Sequence, residues 1–94
     1  MKIKLARAVD VDGKSIEEID LNLDPLTGAD MEFCLREAVA ASGAPVVSPL
    51  IDTGFHAEVA ARAAGITRTA LRKLDAKSYL EVITHVQGFL LGTD

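Results

Sequence analysis

Residues 3–23 read IKLARAVDVDGKSIEEIDLNL, and this stretch decides the N-terminal part of the fold. Apolar residues alternate with polar or small ones on both sides of Asp12 and Gly13, as they do in strands with one buried face. An Asp-Gly dipeptide is typical of a two-residue type I′ turn, because both turn positions need a positive φ. The sequence therefore predicts a β-hairpin over residues 1–24.

The apolar alternation changes phase within this hairpin. Counted from the turn, an unbroken ladder pairs Leu5 with Asp20 and places Leu21 on the polar face. One extra residue in a strand restores the face. We predict a β-bulge at Glu17 and Glu18 of the second strand. The pairs expected beyond it are Leu5 with Leu21 and Ile3 with Leu23.

Helical signals dominate the chain after Pro25, which cannot donate to a ladder and ends the hairpin. The first helix is expected over about 28–41, started by Thr27 or Asp30 and stopped at Ser42 and Gly43. A second helix is closed by Gly65. The predicted N-caps of the third and fourth helices are Thr67 and Asp75.

Two of these helices carry apolar stripes at helical spacing. The stripe of the first is Met31, Leu35, Ala38 and Val39, and that of the last is Tyr79, Val82, Ile83, Val86 and Leu90. The predicted fold class is α+β, with an N-terminal β-hairpin followed by a small bundle of about four α-helices. We expect one domain over residues 1–94, with the helical part over 28–91.

The segment APVVSPLIDTG, residues 44–54, has two prolines and no helical period. It is predicted to be a loop, yet it carries Val46, Val47, Leu50 and Ile51. These side chains either pack on the core or form a contact surface, and the sequence leaves both interpretations open.

Composition limits how the protein is stabilised. Hydrophobic residues make up 49% of the 94 residues, but only three Phe and one Tyr are present. The core must be built from Leu, Ile, Val and Ala, and each Ala buries little area. Burial against a second copy or a partner would add stability, so we expect a homo-oligomer.

Charge is unevenly distributed around a net value of −4. Residues 1–54 hold five Lys/Arg and ten Asp/Glu, whereas residues 55–94 hold five and four. A protein that binds nucleic acid over its whole surface would have a basic excess. Nucleic acid is therefore not the expected partner, and such binding would need a local basic patch.

One such patch is conceivable in GITRTALRKLD, residues 65–75. Ala61, Gly65 and Leu71 have the spacing of a helix-turn-helix, in which a second helix reads the major groove. The DNA-contacting side chains would be Arg62, Arg68, Arg72, Lys73 and Lys77. The pattern is loose, since many pairs of short helices joined by glycine satisfy it. A small DNA-binding regulator is our second hypothesis.

No catalytic or metal-binding constellation is evident. His56 and His85 are the two histidines, and their spacing gives no metal-binding pair. Cys34, the single cysteine, lies among apolar residues and is expected to be a buried core thiol. We predict no enzymatic activity, no metal and no cofactor.

The chain has the features of a cytoplasmic protein. One cysteine allows no internal disulfide, which suits a reducing compartment. No apolar run approaches the ~20 residues that span a bilayer, and the N-terminus lacks a signal-peptide pattern. We expect a cytoplasmic location and no membrane partner.

Three segments taken in order resemble the phage tail assembly chaperones of the Mu-like group. They are VDGKSIEEIDLN, PLTGADMEF and ITRTALRKLDAKSYLEVITHVQGFL. The matching residues are the Asp-Gly turn, Leu26 and Asp30 at the first helix, and Leu74, Asp75, Tyr79, Leu80, Val86 and Phe89 in the closing block. The resemblance spans most of the chain, but the sequence departs from the family's pattern at the proline-rich loop.

The resemblance implies a non-enzymatic chaperone in the cytoplasm of the bacterial host. Its client would be the tape measure protein, with the tail tube protein as a second candidate partner. An apolar surface between short helices could hold a helix of the client. The client-binding residues predicted from exposed apolar character are Val46, Val47, Leu50, Ile51, Phe55, Phe89, Leu90 and Leu91.

Overall fold

A computed structural model describes residues 1–92, so residues 93 and 94 of the predicted domain lie outside the described residues. The strands are β1 (Lys2–Val11) and β2 (Lys14–Asp20), and the helices are α1 (Gly28–Ser42), α2 (Thr53–Ala64), α3 (Arg68–Leu71) and α4 (Ala76–Leu91). An antiparallel two-stranded hairpin is thus followed by four helices. This confirms the predicted α+β fold class.

The turn of the hairpin forms at the predicted dipeptide. Asp12 and Gly13 have φ values of 53° and 81°, the positive values that this turn requires. Val11 pairs with Lys14 and Val9 pairs with Ile16, which is the register of a two-residue connection.

The register then shifts, but the extra residues lie in β1 and not in β2, where they were predicted. Ile3 pairs with Ile19 and Lys4 with Glu18, so the four β1 residues between Lys4 and Val9 face only Glu17. The bulge at Glu17 and Glu18 and the pairs of Leu5 with Leu21 and Ile3 with Leu23 were therefore wrong. An odd number of extra residues in either strand restores the apolar face, and alternation alone does not choose between them.

Contacts with α4 explain why β1 carries the extra residues. The backbone amide of Ala6, within the bulge, donates a hydrogen bond to the hydroxyl of Ser78 at 3.0 Å. Ser78 is buried in the first turn of α4, where its own amide donates to the N-cap Asp75 at 3.1 Å. The bulge therefore exchanges ladder hydrogen bonds for a bond to the start of α4.

Helix α2 lies at the centre of the helical part. It contacts α1, α3, α4 and β2, while β1 packs on α4. Much of its buried surface is alanine: Ala57, Ala60, Ala61 and Ala63. Small side chains let the neighbouring helices approach closely, and the larger core residues, such as Leu71 and Val82, fill the space around them.

The helix ends follow the local signals. Thr27 is the N-cap of α1 and forms a capping box with Asp30, which resolves the two starts left open by the sequence. Thr67 and Asp75 cap α3 and α4 as predicted. Gly65 ends α2 with a φ of 70°, a conformation that favours glycine.

The apolar stripe of α1 is narrower than predicted. Cys34 and Ala38 are buried, Met31 and Leu35 are half-buried, and Val39 is exposed. The reason is that α1 packs mainly against one element, α2, so only one side of it is covered. In α4 the predicted Val82, Ile83 and Val86 are buried, and Tyr79 and Leu90 pack against the core as half-buried residues.

Within residues 1–92, no helix has both the length and the apolar composition needed to span a membrane.

Candidate partner-binding surfaces

The connection between α1 and α2, here called the α1–α2 loop (residues 43–52), has a fixed backbone. The carbonyl of Ser48 accepts hydrogen bonds from the amides of Ile51 and Asp52 at 3.1 and 3.0 Å. Asp52 then caps α2 by accepting from the amide of Phe55 at 2.8 Å. The loop is therefore anchored by a hydrogen-bonded turn that leads directly into a helix N-cap.

His56 holds the same loop from inside the protein. Its side chain is fully buried, and Nε2 lies 2.9 Å from the carbonyl oxygen of Pro49. A carbonyl only accepts, so Nε2 is the donor in this hydrogen bond. Sequence reasoning missed this role, because a single histidine in an apolar helix gives no signal of a distant carbonyl partner.

This fixed backbone presents three aliphatic side chains to solvent. Val47 is 91% exposed, Ile51 is 67% exposed and Leu50 is 46% exposed. Val46, in contrast, is half-buried and packs against the core. The two interpretations left open by the sequence therefore hold for different residues: Val46 packs on the core, and the other three side chains are exposed.

The remaining predicted client-binding residues are placed differently. Phe55 is 2% exposed and belongs to the core, so we drop it from the candidate surface. It lies in the first turn of α2 on the side that faces the core. Phe89 and Leu90 are half-buried against the core, and Leu91 is exposed at the end of α4.

The basic residues do not form one uniform face. Arg68 is ion-paired with Glu58. Arg62 donates from Nε to Asp30 at 2.6 Å, and its guanidinium lies 4.3 Å above the ring of Phe33. Helix α3 has four residues, about 6 Å of helix. Arg72, Lys73 and Lys77 are exposed and follow this helix in the chain. A one-turn helix gives little length for reading a major groove.

A groove runs between α1 on one side and α2 and α3 on the other; we call it the α1–α3 groove. Its main part has a volume of about 650 Å³, and its lining mixes charged side chains with apolar ones such as Phe33, Ala40 and Ile66. A second hollow of about 350 Å³ continues it toward Val46 and the start of α2. The groove therefore leads to the α1–α2 loop.

Arginines line the α1–α3 groove. Arg62 lines the main part only, whereas Arg68 and Arg72 line both parts and mark where these meet. Each of the first two has a carboxylate partner within the chain, as described above. Three carboxylates line the groove as well, so its lining holds as many acidic as basic side chains.

Cys34 lies in α1 near this groove but does not open into it. It is fully buried, which confirms the expected core thiol. Burial raises the pKa of the Cys34 thiol to about 11. The thiol is therefore protonated at neutral pH, whereas the nucleophilic form of cysteine is the thiolate.

Two carboxylates stabilise the fold through their helix N-termini. The backbone amide of Thr27 and then the side chain of Arg62 lower the pKa of Asp30. The hydroxyl of Ser78 and then its backbone amide lower the pKa of Asp75. In both cases the native structure favours the ionised carboxylate.

We expect acid to destabilise the protein through these two groups. A carboxylate whose pKa is lowered on folding contributes stability above its unfolded value, near 3.8, and loses it as the pH falls through the native value. Urea denaturation between pH 5 and pH 2 should therefore show a falling midpoint, and the fall should be smaller in Asp30→Asn. The matched control is Asp10→Asn, an exposed carboxylate of β1, which should keep the wild-type slope. Equal slopes for all three proteins would contradict the assignment.

No three His, Cys, Asp or Glu side chains in the described part of the chain are grouped so that they could hold a metal ion. No family model matches this chain, and no curated protein or solved structure matches it.

Proposed function

We propose that this protein is a tail assembly chaperone of a phage or prophage, which binds the tape measure protein in the host cytoplasm until tail tube subunits replace it. The proposal combines the sequence resemblance to the Mu-like group with the binding surfaces described above. It involves no chemical step, and the tail tube protein is the second candidate partner. The client segment would be an amphipathic helix.

The observation that carries the proposal is the α1–α2 loop with its exposed aliphatic side chains. Val47, Leu50 and Ile51 are all exposed within five residues of a hydrogen-bonded backbone, and exposed apolar side chains grouped together are typical of a contact with a partner. Because the backbone is already ordered, binding loses little conformational entropy.

The chemistry of these side chains suits a temporary complex. Val47, Leu50 and Ile51 bring apolar area without the aromatic or arginine anchors that dominate tight interfaces. Affinity in such an interface is adjusted mainly through the dissociation rate. A chaperone that must release its client to the tail tube needs this kind of contact.

Co-expression with a candidate client, the tape measure protein of a tailed phage or prophage that encodes this chain, tests the proposal. The wild-type chaperone should keep that protein in the soluble fraction and co-purify with it. The double variant Val47→Asp with Leu50→Asp should lose most of this effect, because it places two charges in the apolar contact.

The matched control uses two leucine-sized residues of similar exposure. Ile51 in the loop is 67% exposed and Leu80 on α4 is 61% exposed. Ile51→Asp should reduce client recovery, whereas Leu80→Asp should leave it unchanged. Equal recovery with both variants, or no solubilisation by the wild-type protein, would contradict the proposal.

A further inference from the structure

His56 is the polar exception among the buried residues of α2, which are otherwise Phe, Ala and Val. Its ring lies beside that of Phe55, with 6.1 Å between the ring centroids. Nδ1 of His56 is buried and has no hydrogen-bond partner within residues 1–92. A buried ring nitrogen without a partner destabilises the folded state, because its hydration is lost and not replaced. A leucine of similar size would avoid this loss.

The hydrogen bond from the other ring nitrogen fixes the middle of a turn. Nε2 lies 2.9 Å from the carbonyl oxygen of Pro49. Pro49 is the second residue of the turn that starts at Ser48 and is closed by the amide of Ile51. Its carbonyl belongs to the central peptide of the turn, and rotation of that peptide changes the turn type. His56 therefore holds the peptide that decides the shape of the turn.

The same turn carries the exposed apolar side chains. Leu50 and Ile51 are its third and fourth residues, and Val47 directly precedes it. All three are exposed, as is Pro49, so the turn itself adds little to the core. The directions in which the three side chains point depend on the peptide that His56 holds.

We infer that His56 is the positioning residue of this turn, and that its bond to Pro49 presents Val47, Leu50 and Ile51 together to the partner. The inference rests on the proposed function in assigning the partner, whereas the positioning is measurable on the protein alone. The unpartnered Nδ1 opposes stability, so an apolar replacement of His56 should separate stability from binding.

Two substitutions of His56 test the inference in the full-length protein. His56→Leu fills the space and removes the donor, whereas His56→Gln keeps an N–H donor at a similar distance from the backbone. His56→Leu should remain folded by circular dichroism, with a melting temperature within about 4 °C of the wild-type value. The reason is that the lost hydrogen bond is offset by removal of the unpartnered nitrogen.

Hydrogen exchange measures the positioning. In His56→Leu the amides of Ile51 and Asp52, which are bonded within the turn, should exchange about tenfold faster than in the wild-type protein. In His56→Gln their rates should return to within about threefold of the wild-type rates, because a donor is restored. The amide of Gly43, at the other end of the α1–α2 loop, is the internal control and should keep its rate in both variants.

Co-expression with the tape measure protein measures the binding. His56→Leu should lose most of the client recovery, and His56→Gln should retain most of it. Val59→Ala is the matched control, because Val59 is fully buried on the same helix and is apolar. It should lower the melting temperature more than His56→Leu does and leave client recovery unchanged.

Three results would overturn the inference. The first is a loss of melting temperature in His56→Leu as large as in Val59→Ala, or failure of His56→Leu to fold, since the histidine would then be a requirement of the core. The second is exchange of the two turn amides in His56→Leu that equals the wild-type exchange or that of His56→Gln. The third is wild-type client recovery by His56→Leu.

These outcomes are separate from the test of the proposed function. Faster exchange in His56→Leu that is reversed in His56→Gln, without client recovery by the wild-type protein, would support the positioning role and contradict the proposed function. Client recovery that is lost in the double aspartate variant of the loop but unchanged in His56→Leu would do the reverse.

Discussion

Leu71→Ala is expected to lower the free energy of unfolding by about 3 kcal/mol. Leu71 is fully buried and ends the single turn of α3, where it joins the core cluster that also includes Val59 and Val82. Truncation removes apolar burial and leaves a cavity. The turn is held in place by the N-cap Thr67, so it cannot easily collapse into that space.

This loss would be a large fraction of the total, because a domain of this size has a free energy of unfolding of roughly 5–15 kcal/mol. Urea denaturation followed by far-ultraviolet circular dichroism measures the change directly. The melting temperature should fall by roughly 12–24 °C, since each kcal/mol corresponds to about 4–8 °C in a domain of this length.

Leu80→Ala is the matched control, because it makes the same chemical change at an exposed position of α4. Its effect should stay within about 0.5 kcal/mol. If the two variants were equally stable, α3 would not be part of the core.

Local signals in the sequence were sufficient for several elements. Asp12 and Gly13 predicted the turn because its φ values restrict the residue types, and the structure has those values. Thr67, Asp75 and Gly65 predicted helix ends because each satisfies backbone groups within a few residues. Such features depend on short stretches of chain and can be inferred without knowledge of the tertiary structure.

The hairpin bulge needed information from a distant part of the chain. Alternation showed that the phase changes, but the choice of strand depends on Ser78, which is 72 residues from Ala6. The exposure of Val39 has a similar origin, because α1 has one main neighbour. The spacing of apolar residues cannot reveal how many neighbours a helix has.

The candidate site was predictable only in part. The α1–α2 loop was selected for its apolar residues, and three of them are exposed. Phe55 was included for the same reason but lies in the core, because composition does not give the direction of a side chain. The ion pairs of Arg62 with Asp30 and Arg68 with Glu58 join residues 32 and 10 positions apart on different helices, so neither could be read from the spacing within one helix.

Ser78→Ala is expected to lower the free energy of unfolding by about 2 kcal/mol, the second large effect. The hydroxyl accepts from the amide of Ala6, and it also contributes to the lowered pKa of Asp75. Without it, the bulge amide loses its hydrogen-bond partner at the junction of the hairpin and α4. Alanine is the better helix former, so intrinsic propensity opposes the loss and cannot cause it.

Hydrogen exchange separates a local effect at this junction from general destabilisation. In Ser78→Ala the amide of Ala6 should exchange faster than in the wild-type protein even under conditions where global unfolding is negligible. Ser42→Ala is the matched control, because the hydroxyl of Ser42 is exposed and, within residues 1–92, bonds to the nearby backbone of Ala44. It should leave both the stability and the exchange of Ala6 nearly unchanged. Unaltered protection of Ala6 in Ser78→Ala would mean that α4 does not hold the bulge, and the register of β1 would then need another cause.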